Sequence, residues 1–240
     1  IMIVLVTGIS GLTINGVVRV NGIKWRVQPD RSEAASFAVA ALITKGDILL
    51  KSVNPDQMTA TFDLLREYGA QIEQKDDHSI RVAYPETGDV KPVNFTTAPY
   101  PSVATDVQPL FCALFGMTPG TCEIRETIYL DRFMHVQELN RMSAKMEQRE
   151  FHANIQGVDL YDGAPVMASD LRAGAALVLA ALAAKGQSEV RRIYHVERGY
   201  ERFEQKLASL GASIQRIEEN SEKPANTADW ERLTHEQAIY

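Results

Sequence analysis

Three apolar runs of helical length are spaced along the chain, and each leads to a glycine. They are FAVAALITKG, FCALFGMTPG and VLAALAAKG, which reach Gly46, Gly120 and Gly186. A segment typical of a strand follows each run: DILLKSV, TCEIRETI or SEVRRIY. Because glycine accepts the backbone geometry that ends a helix, the pattern predicts three buried helices that each lead into a strand.

A second, amphipathic helix is predicted after each of these strands, and its end carries a shared signature. The signature is a small residue, alanine, any residue and an apolar residue, and it begins at Gly69, Ser143 and Gly211. Another strand is predicted after each copy. The chain therefore contains three β-α repeat units. Since one unit cannot bury its apolar helix alone, we predict that the three helices pack together under an outer layer of strands.

The 240 residues divide into three predicted parts. The opening IMIVLVTG lacks the basic region and cleavage site of a signal peptide and predicts a strand. It also lacks an initiator Met, so we expect a fragment of a longer protein or joined pieces. In the polar tail, Trp230 is a candidate docking residue. We assign remnant strands and a hinge to 1–28, a repeat domain to 29–217 with units at about 29–92, 93–160 and 161–217, and the tail to 218–240.

Composition and charge narrow the class of protein. With 45% hydrophobic and 23% charged residues, the chain is typical of soluble globular proteins. Its formal net charge of −6 argues against nucleic acid and anionic membranes as partners. The longest uncharged apolar run, 173–184, is shorter than the roughly 20 residues of a membrane span. Cys112 and Cys122 lack metal-type spacing, so we expect free structural thiols, a cytoplasmic location and no metal site.

Charged residues recur directly before each apolar helix. PDRSEAAS contains Asp30 and Arg31, SVATDVQ contains Asp106, and MASDLRAG contains Asp170 and Arg172. An aspartate at this place is typical of a helix cap, and capping alone explains Asp106 and Asp170. Arginine opposes the helix dipole, and converging arginines at helix N-termini are typical of a polyanion site. The pattern leaves open a phosphate or carboxylate site and a structural ring of salt bridges.

Arginine and histidine also recur before the second helix of units two and three. YLDRFMHVQEL contains Arg132 and His135, and YHVERGYERFEQKL contains Arg198 and His195. We expect both histidines to be structural hydrogen-bonding residues. The acid directly before each arginine offers a local ion pair as the simplest explanation. Several arginines at corresponding junctions still favour a shared anionic ligand.

Four segments carry a family resemblance: TAPYPSVATDVQ, RFMHVQELNRM, ASDLRAGAALVLAAL and RIYHVERGYERFEQKLASLGA. They closely resemble the bacterial UDP-N-acetylglucosamine enolpyruvyl transferases (MurA type), with the likeness running from about residue 9 to 217. The resemblance implies the C-terminal domain of an inside-out α/β barrel enzyme, with three β-α repeat units and buried apolar helices. The implied reaction needs no cofactor. It transfers the enolpyruvyl group of phosphoenolpyruvate to the 3′-hydroxyl of UDP-N-acetylglucosamine, releases phosphate and begins peptidoglycan synthesis.

The resemblance also implies roles for individual residues. Asp106 falls where the family has the aspartate that contacts the sugar 3′-hydroxyl and is proposed as general base. Asp170 and Arg172 match the family's D-L-R pair, in which the aspartate is a second candidate for proton transfer. Arg132 and Arg198 match arginines that line the phosphoenolpyruvate and phosphate region.

Ile128 falls on an apolar position whose backbone touches the uridine nucleotide. The catalytic cysteine and the phosphoenolpyruvate-contacting lysine of the family belong to the other domain, and neither cysteine of this chain matches that cysteine. The chain is therefore expected to fold alone, to supply one wall of the site and to be inactive without the missing N-terminal domain. It departs from the family pattern at Tyr100, Ala104, Asp131, Gln137 and Ser143.

Two functions follow from these features. The first is half of an enolpyruvyl transferase, favoured because the polar groups of TD, DLR and RGYE are retained together. The second is a divergent or truncated paralogue that binds a nucleotide sugar or a partner without catalysis. Within the enzyme class, the shikimate-phosphate branch of the fold fits poorly, because RFMHVQEL resembles the nucleotide-sugar branch.

Overall fold

Three apolar helices form the centre of the protein. The computed structural model describes residues 4–7, 11–14, 19 and 22–217. The central helices are α1 (Arg31–Ile43), α3 (Gln108–Phe115) and α5 (Leu171–Leu182). Each contacts the other two, and most of their side chains are buried. The prediction that three apolar helices pack together is therefore confirmed.

The first unit places an antiparallel sheet beside α1. Its helix α2 (Thr59–Tyr68) ends at Gly69, whose φ of 118° lies in the left-handed region that glycine accepts. A Cβ at Gly69 would lie 2.5 Å from the carbonyl oxygen of Asp89, so the position also needs glycine for space. Its strands are β3 (Asp47–Lys51), β4 (Gln71–Asp76) and β5 (Ser79–Ala83). They lie in the order β3-β5-β4.

The second unit has four strands and the same arrangement of helices. The elements are β6 (Phe95–Thr96), β7 (Thr121–Arg125), α4 (Met134–Arg141), β8 (Lys145–Arg149) and β9 (His152–Gln156). The strand order is β6-β7-β9-β8, in which β6 is parallel to β7 and the other pairs are antiparallel. The chain crosses from β6 to β7 through the central helix α3.

The third unit is smaller. Its strands β10 (Pro165–Met167) and β11 (Glu189–Arg191) form a parallel pair joined through α5. The short helix α6 (Tyr194–Glu197) and the helix α7 (Phe203–Ser209) follow. The strand predicted after Gly211 is wrong, because residues 212–217 form no strand. In the other units this strand is held by a hairpin partner, and a strand without a partner in a sheet leaves its backbone groups unpaired.

Outside the three units, β1 (Val4–Thr7) and β2 (Gly11–Ile14) form an antiparallel pair, which agrees with the strand predicted from the opening residues. The predicted polar tail, with Trp230, lies outside the described residues. The described part of the chain is a mixed α/β domain with four separate sheets, and these do not close into a barrel. Among the helices of residues 22–217, none is long and apolar enough to cross a membrane. The unit boundaries stay a prediction.

Candidate functional site

Asp106 lies in a short 3-10 turn, Thr105–Val107, that leads directly into α3. Its carboxylate makes no capping hydrogen bond to that turn or to α3. Capping was one explanation of this residue, and the structure shows it to be wrong for Asp106. The side chain is 39% exposed, so the carboxylate is accessible at the surface. An aspartate that is neither a cap nor fully solvated needs another partner.

Two arginines supply that partner. Nη1 of Arg132 donates a hydrogen bond of 2.6 Å to Oδ1 of Asp106, and Nη2 of Arg172 donates one of 3.1 Å to Oδ2. Both guanidinium side chains are about four-fifths buried, being 19% and 18% exposed. Each carboxylate oxygen therefore faces one arginine. Charge-assisted hydrogen bonds of this kind are among the stronger polar contacts in proteins.

The arginines change the acidity of Asp106. Burial alone would raise the pKa of its carboxyl group, but the hydrogen bonds and positive charges of Arg132 and Arg172 outweigh burial and hold this pKa below its ordinary value of 3.8. Asp106 is therefore ionised at neutral pH. The cluster of one carboxylate and two guanidinium groups keeps a net positive charge that suits an anionic ligand.

Tyr200 holds Arg172 from the other side. The Tyr200 hydroxyl interacts with the Arg172 guanidinium group and helps to raise the pKa of Arg172. The same hydroxyl lies 2.7 Å from Oγ of Ser36 in α1, within hydrogen-bond distance. These polar side chains run from Ser36 in α1 through Tyr200 and Arg172 of α5 to Asp106 in the turn that leads into α3. Neither Tyr200 nor Ser36 was predicted from the sequence as a site residue. The only local signal was the tyrosine in RGYE, and a tyrosine in such a place is usually a core residue.

Asp170 caps the helix that carries Arg172. Its Oδ1 accepts hydrogen bonds from the backbone N–H groups of Arg172 and Ala173 at 2.8 and 3.0 Å, which is the capping explanation found in the sequence. Asp30 caps α1 in the same way through the N–H of Ser32. No direct hydrogen bond joins Asp170 to Asp106 among the described residues. The cap fixes the start of α5, from which Arg172 reaches Asp106.

The other two predicted site residues, Ile128 and Arg198, make no hydrogen bond or ion pair with Asp106, Arg132 or Arg172 in the described part of the chain. Ile128 is exposed in the loop between β7 and α4, and its backbone N–H donates a hydrogen bond to Oε1 of Glu126. Arg198 ends α6 and is exposed, and no ion pair to it is found within the described residues. The expected ion pair with Glu197 is wrong, since Glu197 is paired with Arg216. Arg198 is therefore free to bind an anion from outside.

The positions that depart from the family pattern lie mainly at the surface. The guanidinium group of Arg31 lies 5.4 Å from the ring centre of Tyr100, which is 65% exposed. Asp131 is exposed and makes no ion pair with Arg132, whose carboxylate partner is Asp106. The local pair that was the simplest explanation of Arg132 is wrong. Ser143, with a φ of 67°, retains the backbone geometry that ends α4.

His135 and the two cysteines are buried. His135 is 1% exposed, and its Nε2 has no hydrogen-bond partner among the described residues, so the expected hydrogen bonding is incomplete. Burial raises the pKa of the Cys122 thiol to about 12 and that of Cys112 well above its usual range. Both thiols are free, in agreement with the structural role expected for them. In the described part of the chain, no group of three or more acidic, His or Cys side chains could hold a metal ion.

We expect the stability of the domain to fall between pH 7 and pH 5 because of His135. Burial lowers the pKa of His135 from 6.5 to about 4, so over this range the unfolded state binds a proton that the folded state does not. The free energy of unfolding should decrease by about 2 kcal/mol. Denaturant titration at both pH values measures this decrease.

A matched pair of variants isolates the contribution of His135. His135→Gln removes the buried imidazole, and His78→Gln removes one that is exposed. The decrease in the free energy of unfolding between pH 7 and pH 5 should be smaller in His135→Gln than in the wild type. It should be unchanged in His78→Gln. If both variants keep the wild-type dependence, another group is responsible.

Comparison with known proteins places the chain near one group of enzymes. Residues 4–207 match the profile of the EPSP synthase (3-phosphoshikimate 1-carboxyvinyltransferase) family. The UDP-N-acetylglucosamine 1-carboxyvinyltransferase of Novosphingobium aromaticivorans is 47% identical over 210 residues, 88% of this chain and 48% of that protein. The protein of the same name from Bartonella henselae is 46% identical over 88% of this chain and 49% of its own length. The chain spans about half the length of the curated relatives it matches.

The solved structures that resemble this domain include enzymes of the same kind. The enolpyruvyl transferase NikO from Streptomyces tendae is similar with a TM-score of 0.71 and 28% sequence identity, over 80% of this chain and 45% of that chain. The EPSP synthase from Acinetobacter baumannii is similar with a TM-score of 0.62 and 14% identity, over the same shares of the two chains. The second likeness concerns the fold alone.

Proposed function

Because the chain belongs to the EPSP synthase family, we propose that it forms one wall of the active site of a nucleotide-sugar enolpyruvyl transferase. The proposed reaction transfers the enolpyruvyl group of phosphoenolpyruvate to the 3′-hydroxyl of UDP-N-acetylglucosamine and releases phosphate in the cytoplasm, as the first committed step of peptidoglycan synthesis. The single observation that carries the proposal is the accessible Asp106 carboxylate held between Arg132 and Arg172.

Asp106 is the proposed proton acceptor. As the oxygen of the sugar hydroxyl bonds to the phosphate-bearing carbon of phosphoenolpyruvate, the double bond opens, the methylene carbon gains a proton and the hydroxyl loses one, which a carboxylate within hydrogen-bond reach can take. Loss of phosphate and of a proton from the resulting methyl group then restores the double bond. Asp106 is ionised at neutral pH, which supports this role. An anionic substrate that attracts Arg132 and Arg172 would leave the Asp106 oxygens free to accept the proton. Substrate binding and release of the base are thereby coupled.

The arginines are the proposed anion-binding groups. Arg132 and Arg172 already converge on one carboxylate, and their fork of donors also suits the carboxylate and phosphate of phosphoenolpyruvate. Arg198 is proposed to join them, since it is exposed and no described side chain pairs with it. Their positive charge would stabilise the phosphate as it leaves. Ile128 is proposed to face the uridine nucleotide, and Asp170 stays a second candidate for proton transfer.

The other wall is proposed to come from the region of the relatives that this chain does not cover. The domain would then be the C-terminal half of an enzyme whose halves each form an inside-out α/β barrel. Groups from both walls are needed to enclose phosphoenolpyruvate, so we expect the 240-residue chain alone to release no phosphate. A divergent binding module without catalysis has no specific structural observation in its favour.

Phosphate release tests the proposed function. A protein that joins this domain to the uncovered region of its relatives is given phosphoenolpyruvate and UDP-N-acetylglucosamine, and in parallel phosphoenolpyruvate and shikimate 3-phosphate. We expect release with the nucleotide sugar and background release with the shikimate compound. Release with the second acceptor alone would contradict the proposed substrate, and release with neither would contradict the proposed reaction.

We expect Arg198→Ala to weaken the use of phosphoenolpyruvate far more than that of the nucleotide sugar. Removing a charge-assisted contact costs about 1.5 to 3 kcal/mol, so the KM for phosphoenolpyruvate should rise roughly 10- to 100-fold. The control is Arg149→Ala, which removes an exposed arginine of β8 that pairs with Glu147. Steady-state titration of each substrate measures both constants. Equal increases for the two substrates would make Arg198 a structural residue.

A further inference from the structure

Glu126 is a buried carboxylate at the end of β7, outside the arginine cluster. It is 1% exposed. Its Oε1 accepts hydrogen bonds from the hydroxyl of Thr97 at 2.6 Å and from the N–H groups of Ile128 and Tyr129 at 2.8 and 3.1 Å. Its Oε2 accepts one from the hydroxyl of Thr105 at 2.9 Å. All four donors are uncharged, and the described residues form no ion pair to this carboxylate.

Three of the four donors belong to the two segments that carry the Asp106–Arg132 ion pair, and the fourth, Thr97, directly follows β6. Thr105 directly precedes Asp106 in the 3-10 turn. Tyr129 contacts Arg132 in two ways. The backbone N–H of Arg132 donates a hydrogen bond of 2.9 Å to the Tyr129 carbonyl oxygen, and the guanidinium group of Arg132 lies 5.2 Å from the centre of the Tyr129 ring. One carboxylate thus bonds to the Thr105 side chain in the first segment and to the Ile128 and Tyr129 backbone in the second.

This arrangement differs from a simple loop cap. A cap of the loop would need only the bonds to the two backbone N–H groups, which leave Oε2 free. Here Oε2 instead reaches across to the turn of Asp106 through Thr105. A buried carboxylate fixes its donors closely, because leaving them unpaired away from water is unfavourable. Small displacements of reacting groups have large effects on rate.

We propose that Glu126 is a positioning residue that sets the spacing of Asp106 and Arg132 through Thr105 on one side and the Ile128–Tyr129 backbone on the other. The proposal rests on the proposed function for its effect on rate. It requires no contact between Glu126 and a substrate. Thr105 is the direct link between the buried carboxylate and the base.

Variants of Thr105 test the link with little change of volume. Thr105→Val removes the hydroxyl, and Thr105→Ser keeps it. In the complete enzyme, the valine variant should lose about tenfold or more in kcat while its KM for the nucleotide sugar changes little, and the serine variant should stay near the wild type. Equal kcat for the two variants would overturn the proposal. A loss in the valine variant that appears in KM alone would also overturn it.

Variants of Glu126 give a second comparison. In Glu126→Gln the side-chain oxygen can still accept the three bonds at Oε1, and the amide can donate to the Thr105 oxygen, so the geometry is kept. Glu126→Ala removes all four bonds. We expect the glutamine variant to retain most of kcat and the alanine variant to lose it. A glutamine variant as impaired as the alanine variant would indicate that the charge, and not the geometry, matters, and would overturn the positioning role.

A measurement on the 240-residue chain can test the positioning role of Glu126 independently of the proposed reaction. Carbon NMR of the Asp106 carboxyl measures its pKa, which the two arginines hold below its ordinary value. Thr105→Val should raise that pKa towards the ordinary value, and Thr105→Ser should not. An unchanged pKa in the valine variant would overturn the proposal. A raised pKa, in a protein whose complete form releases no phosphate, would support positioning and contradict only the proposed reaction.

Discussion

Replacing Asp106 by asparagine in the complete enzyme should lower the rate of enolpyruvyl transfer by about 10²- to 10⁴-fold, the usual effect of losing a general base. The amide keeps the shape of the side chain but cannot take up the proton. Its oxygen can still accept from Arg132, whereas its NH2 group would face the donors of Arg172. The affinity for the nucleotide sugar should change less than the rate. Phosphate release and a binding titration measure the two quantities.

Asp47→Asn is a matched control for this variant. Asp47 also pairs with an arginine, since Nη2 of Arg81 lies 2.6 Å from its Oδ2, but this pair lies on the outer sheet of the first unit. It should leave the rate near that of the wild type. If the two asparagine variants release phosphate equally fast, Asp106 has no part in the reaction.

Truncating Phe111 to alanine should produce the largest loss of stability among the substitutions considered. Phe111 lies in α3 with no exposed surface, and its ring centre is 5.4 Å from that of Phe95 and 5.5 Å from that of Phe115. Removing a buried phenylalanine ring costs about 3 to 5 kcal/mol, because apolar contacts are lost and a cavity remains. For a domain of this size the Tm should fall by roughly 6 to 20 °C.

Phe151→Ala removes the same atoms from a residue that is 47% exposed. We expect it to change the free energy of unfolding far less. Denaturant titration of both variants at one pH provides the comparison. A loss for Phe151→Ala as large as that for Phe111→Ala would mean that α3 is not the centre of the core.

The helices of the fold could be predicted because their signals are local. The apolar runs are wholly contained in single segments, and the predicted second helices end where Gly69, Ser143 and Gly211 have positive φ values. The family resemblance drawn from four motifs is confirmed by the family match over residues 4–207 and by the 47% identity to a UDP-N-acetylglucosamine 1-carboxyvinyltransferase. The absent strand after Gly211 could not be predicted, since a strand depends on a partner elsewhere in the chain.

In the candidate site too, contacts between neighbouring residues could be predicted and contacts between distant residues could not. The capping role of Asp170 was open to prediction because its donors are two and three residues away. Asp106 instead bonds to arginines that are 26 and 66 residues away, and no local rule selects such partners. The local acid was therefore the wrong partner for Arg132. Family resemblance placed Asp106 and the arginines at one site before any geometry was known, but it did not identify Glu126 or Tyr200.

The hydrogen bond between Ser36 and Tyr200 has a consequence for synthesis of the protein in the cell. The two residues are 164 positions apart, and a ribosome that adds about 5 to 20 residues per second needs roughly 8 to 33 seconds to make the intervening chain. During that interval α1 has been made, but the partner of Ser36 has not. The faces of α1 that pack against β3, β5 and α3 can be covered during that interval. The face that packs against α5 and Phe203 is covered last.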